Sequence, residues 1–264
     1  MEAELLLRSL LKMDRTSFYK NLKEEVREDI FPQYKSLLAK RATGFPLQYI
    51  IQYVEFFSVY IKVLPGVFIP RPETEILVEE VLRIANKRDS TSLWILDLGT
   101  GTGAILLSIL KKLKGARGVG IDINPLSVSL AYRNAVLNKL ENRAIFVEGD
   151  IFSPEQFTIS QKFDIIVANP PYISDAEIRD LQPEVLHEPF SALEGGKNGL
   201  RYYPHIFIWG IEYVKKGGFL AFEMGKGQWP EIRSIAQDYG FRNFYVREDL
   251  NGIERIGIIW KEEN

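Results

Sequence analysis

From residue 93 onward, short apolar runs alternate with longer segments of helical periodicity, and this alternation constrains the fold more than any other feature. Strands are expected at Leu93–Leu96, Val119–Ile121, Ala144–Val147, Phe163–Ala168 and Phe219–Phe222. Helices are expected over Ala104–Lys112, Leu126–Leu137, Tyr202–Val214 and Trp229–Tyr239. Near-continuous apolar strands separated by helices pair in parallel, because each crossover helix covers one face of the sheet and returns the chain to the same edge. A last pair, Phe244–Arg247 and Ile256–Trp260, is separated only by the polar stretch Glu248–Arg255, which suits an antiparallel hairpin. The expectation is an α/β domain with a mainly parallel, Rossmann-like sheet and helices on both faces.

The first 66 residues read differently. Leu5, Leu6, Leu7, Leu10 and Leu11 form an apolar stripe opposite Arg8 and Lys12, and Phe18, Leu22 and Val26 continue at four-residue spacing. Leu37 and Leu38 belong to a third segment after Pro32. A small helical bundle with these residues as its core accounts for the pattern. Residues 47–63 are rich in aromatic and β-branched side chains and predict a β-hairpin joining two parts of the protein. Pro72, with Glu73 and Glu75 beside it, suits a helix first turn, and that helix is expected to run through Leu77, Val78, Val81 and Leu82.

A glycine-rich turn, Asp97-Leu98-Gly99-Thr100-Gly101-Thr102-Gly103, lies between the first strand and first helix of the alternating region. Such a turn lets a ligand approach the backbone at a helix amino terminus. The spacing is Gly-x-Gly-x-Gly, whereas a dinucleotide site expects Gly-x-Gly-x-x-Gly. Asp97 would repel a pyrophosphate but attract a ligand carrying an ammonium and a sulfonium, so the turn fits S-adenosylmethionine better than NAD. Asp122 ends the next strand, nineteen residues after Gly103, where a carboxylate accepts hydrogen bonds from ribose hydroxyls. Asp150 ends the third strand, where its carboxylate or the next backbone amide meets an adenine, and Ile151 and Phe152 supply an apolar wall. Strand-end aspartates are often helix caps. Three in succession point instead to a ligand, because ligands bind at the carboxyl ends of parallel strands.

Asn169-Pro170-Pro171-Tyr172 follows the Phe163–Ala168 strand. Methyl transfer from a sulfonium needs a lone pair, and an amide or aniline-like nitrogen has its lone pair delocalised. A protein activates such a nitrogen by accepting hydrogen bonds from its N–H groups and aiming it. The Asn169 side-chain oxygen and the Pro170 carbonyl are suitable acceptors, the two prolines remove competing backbone donors, and Tyr172 offers a flat face to a planar group. Positioning and electrostatics carry such a reaction without an acid–base residue.

Composition sets the remaining bounds. No apolar run approaches the roughly eighteen residues of a membrane span. The start, Met1-Glu2-Ala3-Glu4, lacks the basic residues of a secretory signal, and the chain has no cysteine. A cytoplasmic address is expected, with neither thiolate metal site nor disulfide. The two histidines, His187 and His205, show no metal-ligand spacing, so no metal is expected. The net charge is −2, and residues 1–66 carry ten Lys/Arg against eight Asp/Glu. That balance disfavours an adenine-amino DNA or RNA methyltransferase, which needs a basic surface for phosphate. A nucleoside-binding dehydrogenase leaves Asn-Pro-Pro-Tyr unexplained, and a non-catalytic binding module would need no acceptor loop.

Beyond these motifs the chain resembles the release factor glutamine methyltransferases, the HemK/PrmC family. The likeness rests on Arg41-x-x-Gly44-x-Pro46-x-x-Tyr49-Ile50, on Glu55-Phe56 and on Ile69-Pro70-Arg71-Pro72-Glu73-Thr74-Glu75. The glycine turn and Asn169 to Ile173 follow in register, then Glu188-Pro189, Ala192-Leu193 and Gly195-Gly196-x-x-Gly199-Leu200. Gln52 and Ser58 stand where the family pattern has glycines, and Ile151 where some relatives carry an aromatic. The resemblance implies a seven-stranded class I S-adenosylmethionine-dependent methyltransferase domain, residues 67–264, behind a helical recognition domain, residues 1–66. It also implies methylation of the glutamine amide in the Gly-Gly-Gln motif of peptide chain release factors. The cofactor contacts would be Asp97, Gly99, Thr100, Gly101, Thr102, Gly103, Asp122, Asp150, Ile151 and Asn169. The substrate contacts would be Asn169, Pro170, Pro171 and Tyr172, with Asn169, Pro170 and Tyr172 at the reacting atoms. A monomer without sequence-specific nucleic-acid binding is expected.

Overall fold

The structure, a computed structural model, describes residues 2–88, 92–157 and 160–262. Four helices come first: α1 (Glu2–Leu11), α2 (Arg15–Lys20), α3 (Ile30–Ala42) and α4 (Leu47–Ile51). A hairpin of β1 (Tyr53–Phe56) and β2 (Val59–Lys62) leads to α5 (Glu75–Ala85). Then strand and helix alternate: β3 (Trp94–Leu98), α6 (Ala104–Lys112), β4 (Arg117–Asp122), α7 (Pro125–Leu137), β5 (Ala144–Glu148) and β6 (Phe163–Ala168). The chain continues through α8 (Tyr203–Tyr213), β7 (Val214–Glu223), α9 (Trp229–Asp238), β8 (Asn243–Glu248) and β9 (Glu254–Trp260).

The last seven strands form one sheet in the order β5-β4-β3-β6-β7-β9-β8. β3 to β7 pair in parallel, while β9 runs antiparallel to both β7 and β8, as the terminal hairpin pattern predicts. The two-residue period of a strand divides the core between the faces. Ile95, Ile165 and Val167 pack with α5 and α6, whereas Leu96, Ile166 and Ala168 pack with α8 and α9. The chain winds outward from β3 through β4 to β5, then returns to β6 on the other side. This reversal leaves a crevice at the carboxyl ends of β3 and β6. Leu98 pairs with Ala168, and Ala168 with Phe222. The three following residues, Gly99, Asn169 and Glu223, therefore emerge side by side.

The hairpin belongs to the core of the sheet domain: Val59, Ile61 and Val63 are fully buried against α5 and α6. Two asparagines, Asn134 of α7 and Asn138 at its C-cap, pair with the free edge of β2 as another strand would. Asn134 accepts from Lys62 N at 2.8 Å and donates to Lys62 O at 3.1 Å. Asn138 accepts from Tyr60 N at 3.2 Å and donates to Tyr60 O at 2.8 Å. Gln52, Phe57 and Ser58 have φ of 63°, 41° and 69°, so the glycine-like backbone persists without glycine. Consecutive positive φ values at Phe57 and Ser58 make the two-residue turn whose twist suits a hairpin.

Two local expectations fail. Tyr49-Ile50-Ile51 lie in α4 and not in the hairpin, because Pro46 starts a helical turn in which Tyr49 and Ile50 both bond back to its carbonyl. The four-residue spacing of Phe18, Leu22 and Val26 does not continue one helix. Asn21 caps α2, and the run Lys23 to Asp29 offers a single apolar residue to bury. Leu22 and Val26 are consequently exposed and outside the helical core, which is built on Leu6, Ile30 and Leu47. Among the described residues, no helix is long and apolar enough to cross a membrane.

Candidate active site

A cavity of about 610 Å³ opens at the carboxyl ends of β3, β4, β5 and β6. Gly99, Thr100, Gly101, Thr102, Asp122, Asp150, Ile151 and Asn169 to Tyr172 all line it. Asp97 and Gly103 do not. Gly103 has φ 80° and packs toward Ala131, Leu107 and Phe146, so its role is to admit α6 close to α7 and β5.

The turn after β3 is held from below. Gly99 and Thr100 both donate backbone N–H to Ile121 O at 2.9 Å, and Gly101 N donates to Asp122 Oδ2 at 2.7 Å. Asp122 Oδ1 accepts from Asn124 N at 2.9 Å. Burial pushes the Asp122 carboxyl up, and these two N–H groups pull it back. Asp97 is fully buried and accepts the Thr100 hydroxyl on Oδ2 at 2.7 Å, while its Oδ1 has no hydrogen-bond partner among the described residues. Burial raises this carboxyl, the Thr100 hydroxyl pulls it back and the Asp122 charge pushes it up again, which leaves it at about 7. A buried acceptor without a donor is costly, and a cationic group in the cavity would offset that cost. The residues present thus fit a ligand with an ammonium at the turn and hydroxyls at Asp122.

On the third strand end, Asp150 Oδ1 accepts from Phe152 N at 2.9 Å, and the Ile151 carbonyl accepts the Trp209 indole N–H at 2.9 Å. Phe152 packs on His205 at 4.3 Å, and burial lowers that imidazole's pKa. His187 lies against Phe45 at 5.2 Å, so both histidines serve aromatic packing.

The loop after β6 sits in a network whose members the sequence patterns left without a site role. Asn169 Nδ2 donates to Thr74 Oγ1 at 3.1 Å, and Thr74 Oγ1 donates to Glu223 Oε2 at 2.6 Å. Tyr172 O–H donates to Glu223 Oε1 at 2.9 Å. Burial, then the Glu223 charge, pushes the Tyr172 hydroxyl far above its ordinary range. Gln228 Nε2 donates to Tyr172 O at 2.9 Å. Gly195 and Gly199 press against the Tyr172 backbone so closely that a Cβ at either would collide, at 2.8 and 2.2 Å. Glu188, also buried, accepts from Ile69 N at 2.9 Å and pairs with Arg71, fastening the Ile-Pro-Arg-Pro segment to the cavity rim. The available signal for Glu223 was its place one residue past an apolar strand, the same rule that selects Asp122 and Asn169.

The chain is similar to known proteins along nearly its whole length. Residues 59–197 match the Methyltransferase small domain family, and residues 1–51 match the PrmC N-terminal domain. A release factor glutamine methyltransferase of Geobacter sulfurreducens is 38% identical over 97% of this chain and 87% of its own length. That of Thermodesulfovibrio yellowstonii is 39% identical over 100% of this chain and 93% of its own. The chain belongs to the release factor glutamine methyltransferase family. Its fold is also that of a solved methyltransferase from Pyrococcus furiosus, at 15% identity and a TM-score of 0.56, covering 88% of this chain and 98% of that one. Like the rest of its family the chain is an S-adenosylmethionine-dependent methyltransferase with the class I fold.

Proposed function

We propose that this protein transfers a methyl group from S-adenosylmethionine to the side-chain amide nitrogen of the glutamine in the Gly-Gly-Gln motif of peptide chain release factors. The observation that carries this reading is the state of Asn169. It lies beside the glycine turn, and its amide N–H is committed to Thr74. Its oxygen is left as an acceptor for the N–H of a planar amide. The names of the full-length relatives point the same way.

In this reading Gly99 to Thr102 present backbone to the methionine end of the cofactor, and Asp97 balances its ammonium charge. Asp122 keeps one lone pair on each oxygen for the ribose hydroxyls, and Asp150 with Ile151 borders the adenine. S-adenosylmethionine, when bound, supplies an electrophilic methyl group. Everything else falls to the chain. Asn169 Oδ1 and the Pro170 carbonyl each accept one N–H of the glutamine amide, which orients its nitrogen. Pro170 and Pro171 contribute no N–H to compete. Tyr172, with its hydroxyl tied to Glu223, holds a fixed ring against the amide plane. Such positioning, without proton abstraction beforehand, is what a delocalised nitrogen requires.

The helices ahead of the hairpin form the recognition domain, and the hairpin, packed into the core of the sheet domain, joins them to the catalytic domain, residues 67–264. Arg41 supports that role: it pairs with Glu2 and with Glu184, so it ties the helical region to the loop beside the cavity. The near-even charge of this region suits a protein partner over nucleic acid. The enzyme acts as a monomer in the cytoplasm, where release factors work. Incubating purified release factor or duplex DNA with the protein and labelled S-adenosylmethionine tests the proposal. Label in the release factor alone is expected; label in DNA alone would replace glutamine by adenine as the acceptor.

A further inference from the structure

Asn169 can serve a substrate N–H only if its oxygen, and not its nitrogen, faces the cavity. The two ends of an amide are nearly equal in shape, so a neighbour must choose between them. Thr74 is the neighbour, and a threonine hydroxyl has one proton and two lone pairs. Were that proton free, Thr74 could as readily donate to the Asn169 oxygen and draw it out of the cavity. It is not free. Glu223, only 2% exposed, accepts it at 2.6 Å. Thr74 therefore has only lone pairs left for Asn169, and the Asn169 Nδ2 donates into them at 3.1 Å. The second carboxylate oxygen takes the Tyr172 proton at 2.9 Å. The carboxylate itself is anchored by β7, whose last residue it is, beside the end of β6.

We propose that Glu223 is a positioning residue for methyl transfer: by taking the Thr74 proton it sets the Asn169 oxygen toward the substrate, and by taking the Tyr172 proton it fixes the ring beside it. This rests on the reading of Asn169 as the acceptor for the glutamine amide. Glu223 touches neither substrate nor cofactor in this scheme and acts wholly through Thr74 and Tyr172. Burial raises the Glu223 pKa, while the Thr74 and Tyr172 hydroxyls that donate to it pull it back, and as a carboxylate it can only accept. Glutamine has the same shape, but its NH2 must face one of the two hydroxyls and turn it round.

Three variants and three measurements test this. Glu223→Gln and Thr74→Val should each lower turnover on a Gly-Gly-Gln peptide by about 10²-fold, the scale of a misplaced reactant. Their affinity for S-adenosylhomocysteine, read by calorimetry, should stay at the wild-type value. Thr74→Ser restores the hydroxyl and should recover most of what Thr74→Val loses. Independently of any substrate, the Asn169 side-chain NH2 resonances should move in Glu223→Gln and Thr74→Val and stay in place in Thr74→Ser. Turnover of Glu223→Gln within about threefold of wild type would overturn the assignment, since such a change is smaller than the cost of any single lost polar contact. So would loss of S-adenosylhomocysteine binding together with turnover, which would make Glu223 a support of the fold. If wild-type protein transfers no methyl to glutamine, the substrate reading fails instead. The Asn169 resonances then decide the Glu223 assignment alone, and unmoved signals in Glu223→Gln reject it.

Discussion

At the scale of single residues, Asp97 and Asn169 stand in opposite positions, one fully buried behind the glycine turn and the other half-buried on the cavity wall. Asp97 buries a carboxyl with one unpartnered oxygen, and its pKa rises from 3.8 to about 7. The sign follows from linkage: a carboxyl raised on folding makes the ligand-free fold less stable as pH climbs from the ordinary carboxylate range through about 7. Asp97→Asn removes that cost while keeping an oxygen for Thr100. The variant should therefore melt higher than wild type at pH 8, with little difference at pH 4, by scanning calorimetry without ligand. Its S-adenosylmethionine affinity should fall by about 10-fold, the loss of one buried negative charge behind the ligand's ammonium. Wild-type affinity should weaken as pH drops below about 7, because a proton then competes for the same carboxylate. Asn169→Ala behaves otherwise. It leaves cofactor affinity nearly unchanged but lowers turnover by about 10²–10³, as expected for a preorganised contact that strengthens in the transition state.

At the scale of elements, the hairpin is held by asparagines in place of a third strand. Asn134 also donates to Thr102 O at 2.9 Å, so the same side chain joins the hairpin to the glycine turn. Asn134→Ala should cost about 1–2 kcal/mol in denaturant unfolding, because it strands half-buried backbone groups of Lys62. Gln52→Gly and Ser58→Gly should each gain about 1 kcal/mol, since left-handed backbone is disfavoured for residues with a Cβ. The alternating region was legible because period-two and period-3.6 patterns are local and each apolar run there meets the sheet. The α4 turn was not, because five residues with Tyr, Ile and Ile look the same to either period. Leu22 and Val26 misled for a related reason: spacing alone does not say whether enough apolar area surrounds a residue to bury it. The strand-end rule pointed to the turn, to Asp122 and to Asn169. The same rule reaches Glu223 at the end of its strand, but its pairing with Thr74 spans 149 positions, which no local pattern encodes.

At the scale of the molecule, the helical region and the cavity rim are joined. Arg41 bridges Glu2 and Glu184, and Phe45 rests on His187. Removing all of residues 1–66 would strip Val59, Ile61 and Val63 from the sheet domain's core, so the informative truncation ends before α4. Deleting residues 1–43 should raise the Michaelis constant for whole release factor much more than for a short Gly-Gly-Gln peptide, with cofactor binding retained as the check on folding. Equal losses for both would make the helices a brace for the cavity rim and not a docking surface. The identity of the nitrogen that receives the methyl group is the decisive point. Fragmentation mass spectrometry of a release factor, after incubation with wild-type protein and S-adenosylmethionine, measures this directly. One added methyl on the Gly-Gly-Gln glutamine side chain, nearly absent with Asn169→Ala, is the predicted result; a methyl on any other residue, or an unmodified factor, would contradict it.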